Sequence, residues 1–219
     1  MLLTITGPLC SGKYTLASRV LNAIANSIEL KMVTDSKPYH SSFYQHVSAS
    51  EFDAMDDMLI TCNTEYRFGI SRKTLTEATL NVDCLYVMVC AHTDVVALSK
   101  LMPKLNTPSL CVYLHCRINE LLKRLADRQQ HLSPTDLHNY MQNIYADHNA
   151  IYTLLENTSI ARSGFTAVIP MNSGFTSCED YKELVVDPLI AILDSFRIYK
   201  NMRKFHTKRH SLGVVKYAD

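Results

Sequence analysis

The chain is 219 residues long, 47% hydrophobic and 20% charged, with a formal net charge of +1, which suits one domain with a sizeable core and room for a small insertion and a tail. No apolar run approaches the ~18 residues needed to cross a bilayer and no signal peptide is legible, so membrane-spanning and secreted classes are excluded. The seven cysteines, Cys10, Cys62, Cys84, Cys90, Cys111, Cys116 and Cys178, form no Cys-x-x-Cys pair and four lie in apolar strand-like runs, which excludes a disulfide frame or a zinc site and makes the reducing cytoplasm the expected location.

Leu2-Leu3-Thr4-Ile5-Thr6 is an apolar, partly β-branched run that predicts a strand, and Leu16 to Leu21 has helical character. Between them, Gly7-Pro8-Leu9-Cys10-Ser11-Gly12-Lys13-Tyr14-Thr15 has the spacing of a Walker A phosphate loop. Gly7 and Gly12 permit the tight turn that brings backbone N–H groups to phosphate oxygens. The helix that follows points its positive end at the same oxygens, and Lys13 adds a full charge that reaches the β- and γ-phosphates. The motif therefore predicts an ATP site with Mg²⁺. Directly after the lysine the pattern wants Ser or Thr as a Mg²⁺ ligand; this chain has Tyr14 there, then Thr15. Either Thr15 takes the metal role or the ion is held through water and the nucleotide. Cys10 lies where a helix N-terminus lowers a thiol pKa, the competing reading being an inert small filler of the loop.

Further along, Glu29 to Thr34 alternates and reads as one short strand, and Asp35 to Ser50 is polar and aromatic with Pro38 excluding a helix. Ser48 to Glu51 is a capping-box start for a short helix through Met58. Leu59 to Gly69 reads as irregular or strand-like, and Ser71 caps a helix to Leu80. Leu85 to Ala91 and Ser109 to Leu114 are continuous apolar runs, hence strands buried on both faces. They alternate with helices over Thr93–Met102 and Ile118–Arg128. A long helix starts at Ser133-Pro134 and runs to about Asn157, followed by a strand at Phe165–Pro170 and a helix from Cys178 to about Tyr199. Buried strands alternating with helices predict an α/β fold, a parallel sheet covered by helices on both faces. Arg124 and Arg128 stand four apart on one helix face, which suits either two phosphate-facing cations or a solvated face. From Arg197 onward Lys200, Arg203, Lys204, Lys208, Arg209 and Lys216 are opposed only by Asp219, so a basic tail follows a mildly acidic body.

In this order, the pieces resemble the guanylate kinase family of P-loop nucleoside monophosphate kinases, from residue 1 to about 195. The family's Gly-Pro-Ser-Gly-x-Gly-Lys-Ser-Thr corresponds to Gly7–Thr15, and its Asp-Tyr-x-Phe-Val-Ser-x-x-Glu-Phe is similar to Phe43–Phe52. Its Tyr-Tyr-Gly-Thr-Ser resembles Arg67-Phe68-Gly69-Ile70-Ser71, and its Arg-Leu-x-x-Arg lid start matches Arg124–Arg128. Its Val-Asn beside the adenine resembles Ile169 to Asn172. The resemblance implies a domain over residues 1–196, with a nucleotide-binding insert at about 35–80, a lid at about 128–135, and a separate tail at 197–219. It implies ATP and Mg²⁺ at Gly7, Cys10, Ser11, Gly12, Lys13, Tyr14, Thr15 and Asn172, with Thr15 toward the metal. Lys13, Arg124 and Arg128 then act on the transferred phosphoryl group, and Lys37, His40, Tyr44 and Phe68 face the acceptor.

Departures from the family pattern cluster on the acceptor side. Its two phosphate-binding arginines are replaced by a shortened loop with Lys37-Pro38-Tyr39-His40, a point charge in place of bidentate forks. Phe68 has lost the second tyrosine's hydroxyl, Ile70 stands for the serine near guanine, and the guanine-reading glutamate falls near Thr61, with Glu65 the nearest acid. The family's Asp-x-Asp on the central strand is Val87 and Val89. The implied function is an ATP-dependent phosphotransferase acting on a nucleoside monophosphate other than GMP. The alternative is a catalytically degenerate guanylate kinase-like module for nucleotide binding or protein interaction. The basic tail is a candidate contact for nucleic acid or an anionic surface, against the alternative of a solvated tail.

Overall fold

The computed structural model describes residues 1–36, 41–63, 66–81, 83–102, 104–105, 107–128, 133–156, 167–171 and 182–195. Lys37, His40, Glu65, Asn172, the lid residues 129–132 and the basic tail lie outside the described residues, as does the side chain of Arg128. The chain divides into two compact units, Met1–Phe175 and Thr176–Asp219.

The first unit is built on a five-stranded sheet of β1 (Leu2–Thr6), β2 (Ser27–Glu29), β7 (Leu85–Val89), β8 (Ser109–His115) and β9 (Ala167–Pro170), in the order β2-β7-β1-β8-β9. Every pairing in it is parallel, with Leu2 opposite Tyr86 on one side and Ser109 on the other. β1 is the centre of the sheet and all five of its residues are buried. That is the reason it carries no charged residue and only small threonines among its apolar side chains: a strand sandwiched on both faces has no solvent side. The helices α1 (Lys13–Ala23), α3 (Arg72–Leu80), α4 (His92–Leu101), α5 (Ile118–Arg128) and α6 (Pro134–Glu156) supply the parallel crossovers and flank the sheet. α5 contributes the fully buried Leu121 and Leu125, four apart on one face.

A second sheet of four strands, order β4-β3-β6-β5, contains β3 (Met32–Thr34), β4 (Tyr44–His46), β5 (Met58–Asn63) and β6 (Tyr66–Ser71). β3 pairs parallel to β4 and antiparallel to β6, and β5 with β6 forms an antiparallel hairpin. Two local signals read from sequence hold here. Ser48 caps α2 (Ala49–Asp53) by accepting the Glu51 N–H at 3.2 Å, while the Glu51 carboxylate accepts the Ser48 N–H at 2.7 Å. Ser71 caps α3 by accepting the Thr74 N–H at 3.0 Å.

Two expectations are corrected and one is filled in. The single strand expected over Glu29–Thr34 is two strands on two sheets: Leu30 still donates to the Val87 carbonyl at 2.8 Å, and the chain then turns into β3. Tyr44–His46, in the stretch expected only to avoid a helix, is a strand, too short to show a periodic pattern of its own. The helix expected to run to Met58 stops at Asp53, and the chain turns through a left-handed Asp57, φ 58°, into β5 at Met58.

In the second unit, Lys182–Val186 forms a π-helical turn that continues as α-helix over 187–195, with Val185, Val186, Leu189 and Leu193 buried. Among the described residues, no helix is long and apolar enough to cross a membrane.

Candidate functional site

The loop between β1 and α1 is shaped by two left-handed residues, Cys10 at φ 63° and Gly12 at φ 92°. Glycine adopts that region without a steric penalty; Cys10 is held in it by its surroundings, being only 6% exposed. A turn closes inside the loop, with the Ser11 N–H donating to the Pro8 carbonyl at 3.2 Å. Gly12 caps α1 without any side-chain hydrogen bond, and the first turn of the helix carries no acid. The helix thus begins with its positive end unneutralised by its own side chains, a ready anion site. Lys13 holds its ammonium against the loop, donating to the Pro8 carbonyl at 3.2 Å and lying 5.1 Å from the centre of the Tyr14 ring. Beneath the loop, the Ser11 and Thr6 hydroxyl oxygens are fully buried with no hydrogen-bond partner in the protein. A curled loop, a helix N-terminus, a lysine and an orphaned hydroxyl are a donor set that fits a polyphosphate.

The metal expectation fits less directly. Thr15 is exposed, and the Tyr14 hydroxyl that stands at the usual ligand position is paired with that of Tyr44. No cluster of three or more metal-binding side chains occurs among the described residues. Mg²⁺ commonly keeps several waters and is bound chiefly through substrate phosphates, which suits this site better than a protein cage.

One side chain that no motif marks stands against the loop, and a second, half-buried acid lies at the start of α4. Asp147, midway along α6, has its carboxyl raised by burial, with Lys13, His92 and the Leu9 backbone amide pulling it back down. A carboxylate therefore stands against the phosphate-loop lysine. Asp94, at the start of α4, accepts the Ala91 N–H at 3.1 Å and is pushed up to about 7 by burial, the backbone hydrogen bond opposing the shift. An acid raised in the folded state opposes folding once it ionises. Its penalty is absent below the ordinary aspartate range near pH ~4 and complete above about pH 7. Asp94→Asn, which keeps a carbonyl oxygen for the cap, should therefore raise stability at pH 8 by about 1–2 kcal/mol, allowing for partial exposure, and by nothing at pH 4. Thermal melts of both proteins across pH 4 to 8 test this; an equal gain at both ends refutes it.

Arg124 is brought to the loop from α5. Its Nε donates to Glu120 at 2.9 Å and its guanidinium also reaches the Cys10 and Ser11 carbonyls at 3.4 and 3.5 Å. The structure therefore places it as a brace on the back of the loop, tied to a carboxylate, as well as near the phosphate site. Cys10 is buried and Cys116 lies near it, its thiol pushed up to about 11 by burial.

Tyr44 and Phe68 sit on the second sheet in one aromatic cluster with Tyr14 and Phe43. Ring centres are 5.2 Å apart for Tyr14–Phe43, 6.3 Å for Tyr14–Tyr44 and 5.2 Å for Tyr44–Phe68. The Tyr14 and Tyr44 hydroxyls share a hydrogen bond at 2.8 Å. Burial pushes Tyr14 up to about 12, its bond to Tyr44 acting against the shift, and raises Tyr44 further, with Tyr14 adding to it. Both phenols are neutral at any physiological pH. Arg67, beside Phe68, is held by Asp35 and Asp53 and lies 4.8 Å over the Phe52 ring, so it is committed to bracing the second sheet.

A similar fold occurs in a solved kinase. A solved guanylate kinase from Anaplasma phagocytophilum superposes with a TM-score of 0.55 at 15% identity, covering 89% of this chain and 85% of that one. A shikimate kinase from Bacteroides thetaiotaomicron gives a TM-score of 0.47 at 13% identity over 89% and 98% of the two chains. No family sequence model matches the chain, and no curated protein sequence is similar to it. The likeness is one of fold.

Proposed function

We propose that the chain binds a nucleoside triphosphate, ATP with Mg²⁺, on the loop Gly7–Thr15, as the donor half of a P-loop phosphotransferase. The observation that carries this reading is the loop itself: left-handed Cys10 and Gly12, the acid-free N-terminus of α1, and Lys13 folded against it. Lys13 neutralises the terminal phosphates, the loop amides and helix end orient them, and Arg124 holds the loop's shape from behind. Bound Mg²⁺ would supply charge neutralisation between the outer phosphates.

Two readings share that site. In one, the triphosphate donates to a nucleoside monophosphate held over the second sheet by Tyr44 with Lys37 and His40, a base other than guanine being favoured by Phe68 and Ile70. In the other, the chain is a nucleotide-binding module of kinase fold that makes no transfer to a second nucleotide. The pairing of the Tyr14 and Tyr44 hydroxyls favours the second, because it uses up a group the acceptor phosphate would need.

Lys13→Ala tests the shared part. Losing a charge-assisted hydrogen bond should weaken binding of a non-hydrolysable ATP analogue by ~1.5–3 kcal/mol, roughly 10- to 150-fold. Calorimetric titration of the two proteins measures it, and unchanged affinity removes the loop from the site.

A further inference from the structure

We infer that protein side chains stand where a second nucleotide would have to sit. The rings of Tyr14, Phe43, Tyr44 and Phe68 close the space between the phosphate loop and the second sheet, so the chain takes one nucleoside triphosphate and no nucleoside monophosphate. This rests on the loop reading above and narrows it to a single nucleotide.

The cluster starts at the phosphate site. Tyr14 is the residue after Lys13, and the Lys13 ammonium lies 5.1 Å from its ring centre. From Tyr14 the contacts run without a gap through Phe43 and Tyr44 to Phe68 on β6. Phe43 is only 6% exposed. Tyr44 and Phe68 are the two side chains that the guanylate kinase resemblance assigns to the acceptor phosphate. The hydroxyl of the first is bonded to Tyr14 at 2.8 Å, and the second has none. A group recruited to bind phosphate stays open to solvent until the ligand comes; here burial raises the pKa of both phenols, as expected of hydroxyls enclosed by protein.

The second sheet is also fixed in this position. Leu30 is still hydrogen-bonded to β7 and Met32 already belongs to β3, which leaves Lys31 alone as a connector. On the return side, Ile70, Leu75 and Ala78 are buried in the same apolar cluster as Leu2 and Met88 of the first sheet and Cys90 just after β7. Tyr44 and Phe68 pack against that cluster. Swinging the sheet aside to admit a nucleotide would open this core and break the hydroxyl pair together. A hinged lid meets its body across a surface that separates cheaply; the shared apolar core is not such a surface.

The experiment is calorimetry on the full chain. A non-hydrolysable ATP analogue with Mg²⁺ is titrated first, then AMP, GMP, CMP, UMP and dTMP are titrated into the saturated complex. Dinucleoside pentaphosphates joining adenosine to each of those nucleosides are titrated separately. The expected result is one analogue per chain, no heat from any monophosphate up to millimolar concentration, and pentaphosphates that bind within about threefold of the analogue. A monophosphate that binds the saturated complex, or a pentaphosphate at least about tenfold tighter than the analogue, overturns the inference and leaves the loop reading standing. If the analogue does not bind, or binds Lys13→Ala equally well, the loop reading falls and the single-nucleotide inference falls with it.

Discussion

Gly7→Ala should lower the stability of the chain by about 3 kcal/mol, the upper end of the range for overpacking a well-packed site, and abolish triphosphate binding. A β-carbon at residue 7 would stand 2.7 Å from the Ser11 hydroxyl oxygen, 3.0 Å from the Leu114 carbonyl oxygen and 3.2 Å from the Leu114 β-carbon. None of these has room to give. Ser11 and Leu114 are both wholly buried, and Leu114 lies in β8, paired on one side with β1 and on the other with β9. The strain therefore moves into the loop and displaces the amides that would hold phosphate. Gly12→Ala is the informative contrast. Its nearest neighbour, the terminal methyl of Met171, would be 3.7 Å away, so space is available. Its cost comes from the φ of 92°, which an L-residue adopts at about 1–2 kcal/mol. Urea unfolding of both variants, with analogue binding on the folded protein, checks the order. If Gly12→Ala were the more damaging, steric closure at Gly7 would not be what shapes the loop.

The donor side was legible because its information is local. Strand, glycine spacing, lysine and helix are contiguous, and each residue type there has one physical reason to be present. Continuous apolar runs likewise identified β7 and β8, and Ser48 and Ser71 identified the starts of α2 and α3, because a cap is decided within four residues. What failed was also physical. β4 is three residues of polar and aromatic character whose strand state comes from pairing with β3, each partner twelve residues away, a pairing that the local sequence does not announce. The break between β2 and β3 is set by the Leu30–Val87 hydrogen bond, a tertiary event. Asp147 reaches the loop from a helix that begins more than a hundred residues later, and a lone acid on a long helix carries no pattern. Tyr14 was visible as a departure from the phosphate-loop pattern. That its ring turns toward Tyr44 depends on the second sheet closing over it, which spacing alone does not specify.

Tyr44→Ala should cost about 3 kcal/mol, the low end for deleting a packed ring because Tyr44 is half-buried. The residue joins Tyr14 to Phe68 and packs on the core shared by both sheets, so its loss opens a void at the junction itself. The hydroxyl pair is separable from the ring by phenylalanine substitutions. Tyr14→Phe takes away the partner of the shielded Tyr44 hydroxyl and should cost about 1–2 kcal/mol, the penalty for a buried polar group left unsatisfied. Tyr14→Phe with Tyr44→Phe removes both hydroxyls and restores an apolar contact of nearly the same shape. The double variant should therefore be at least as stable as Tyr14→Phe alone. Urea midpoints for the wild type, the two single phenylalanine variants and the double complete the cycle. Strict additivity, with the double costing the sum of the singles, would mean that the two hydroxyls are independently solvated and that the cleft between the phosphate loop and the second sheet is open to water.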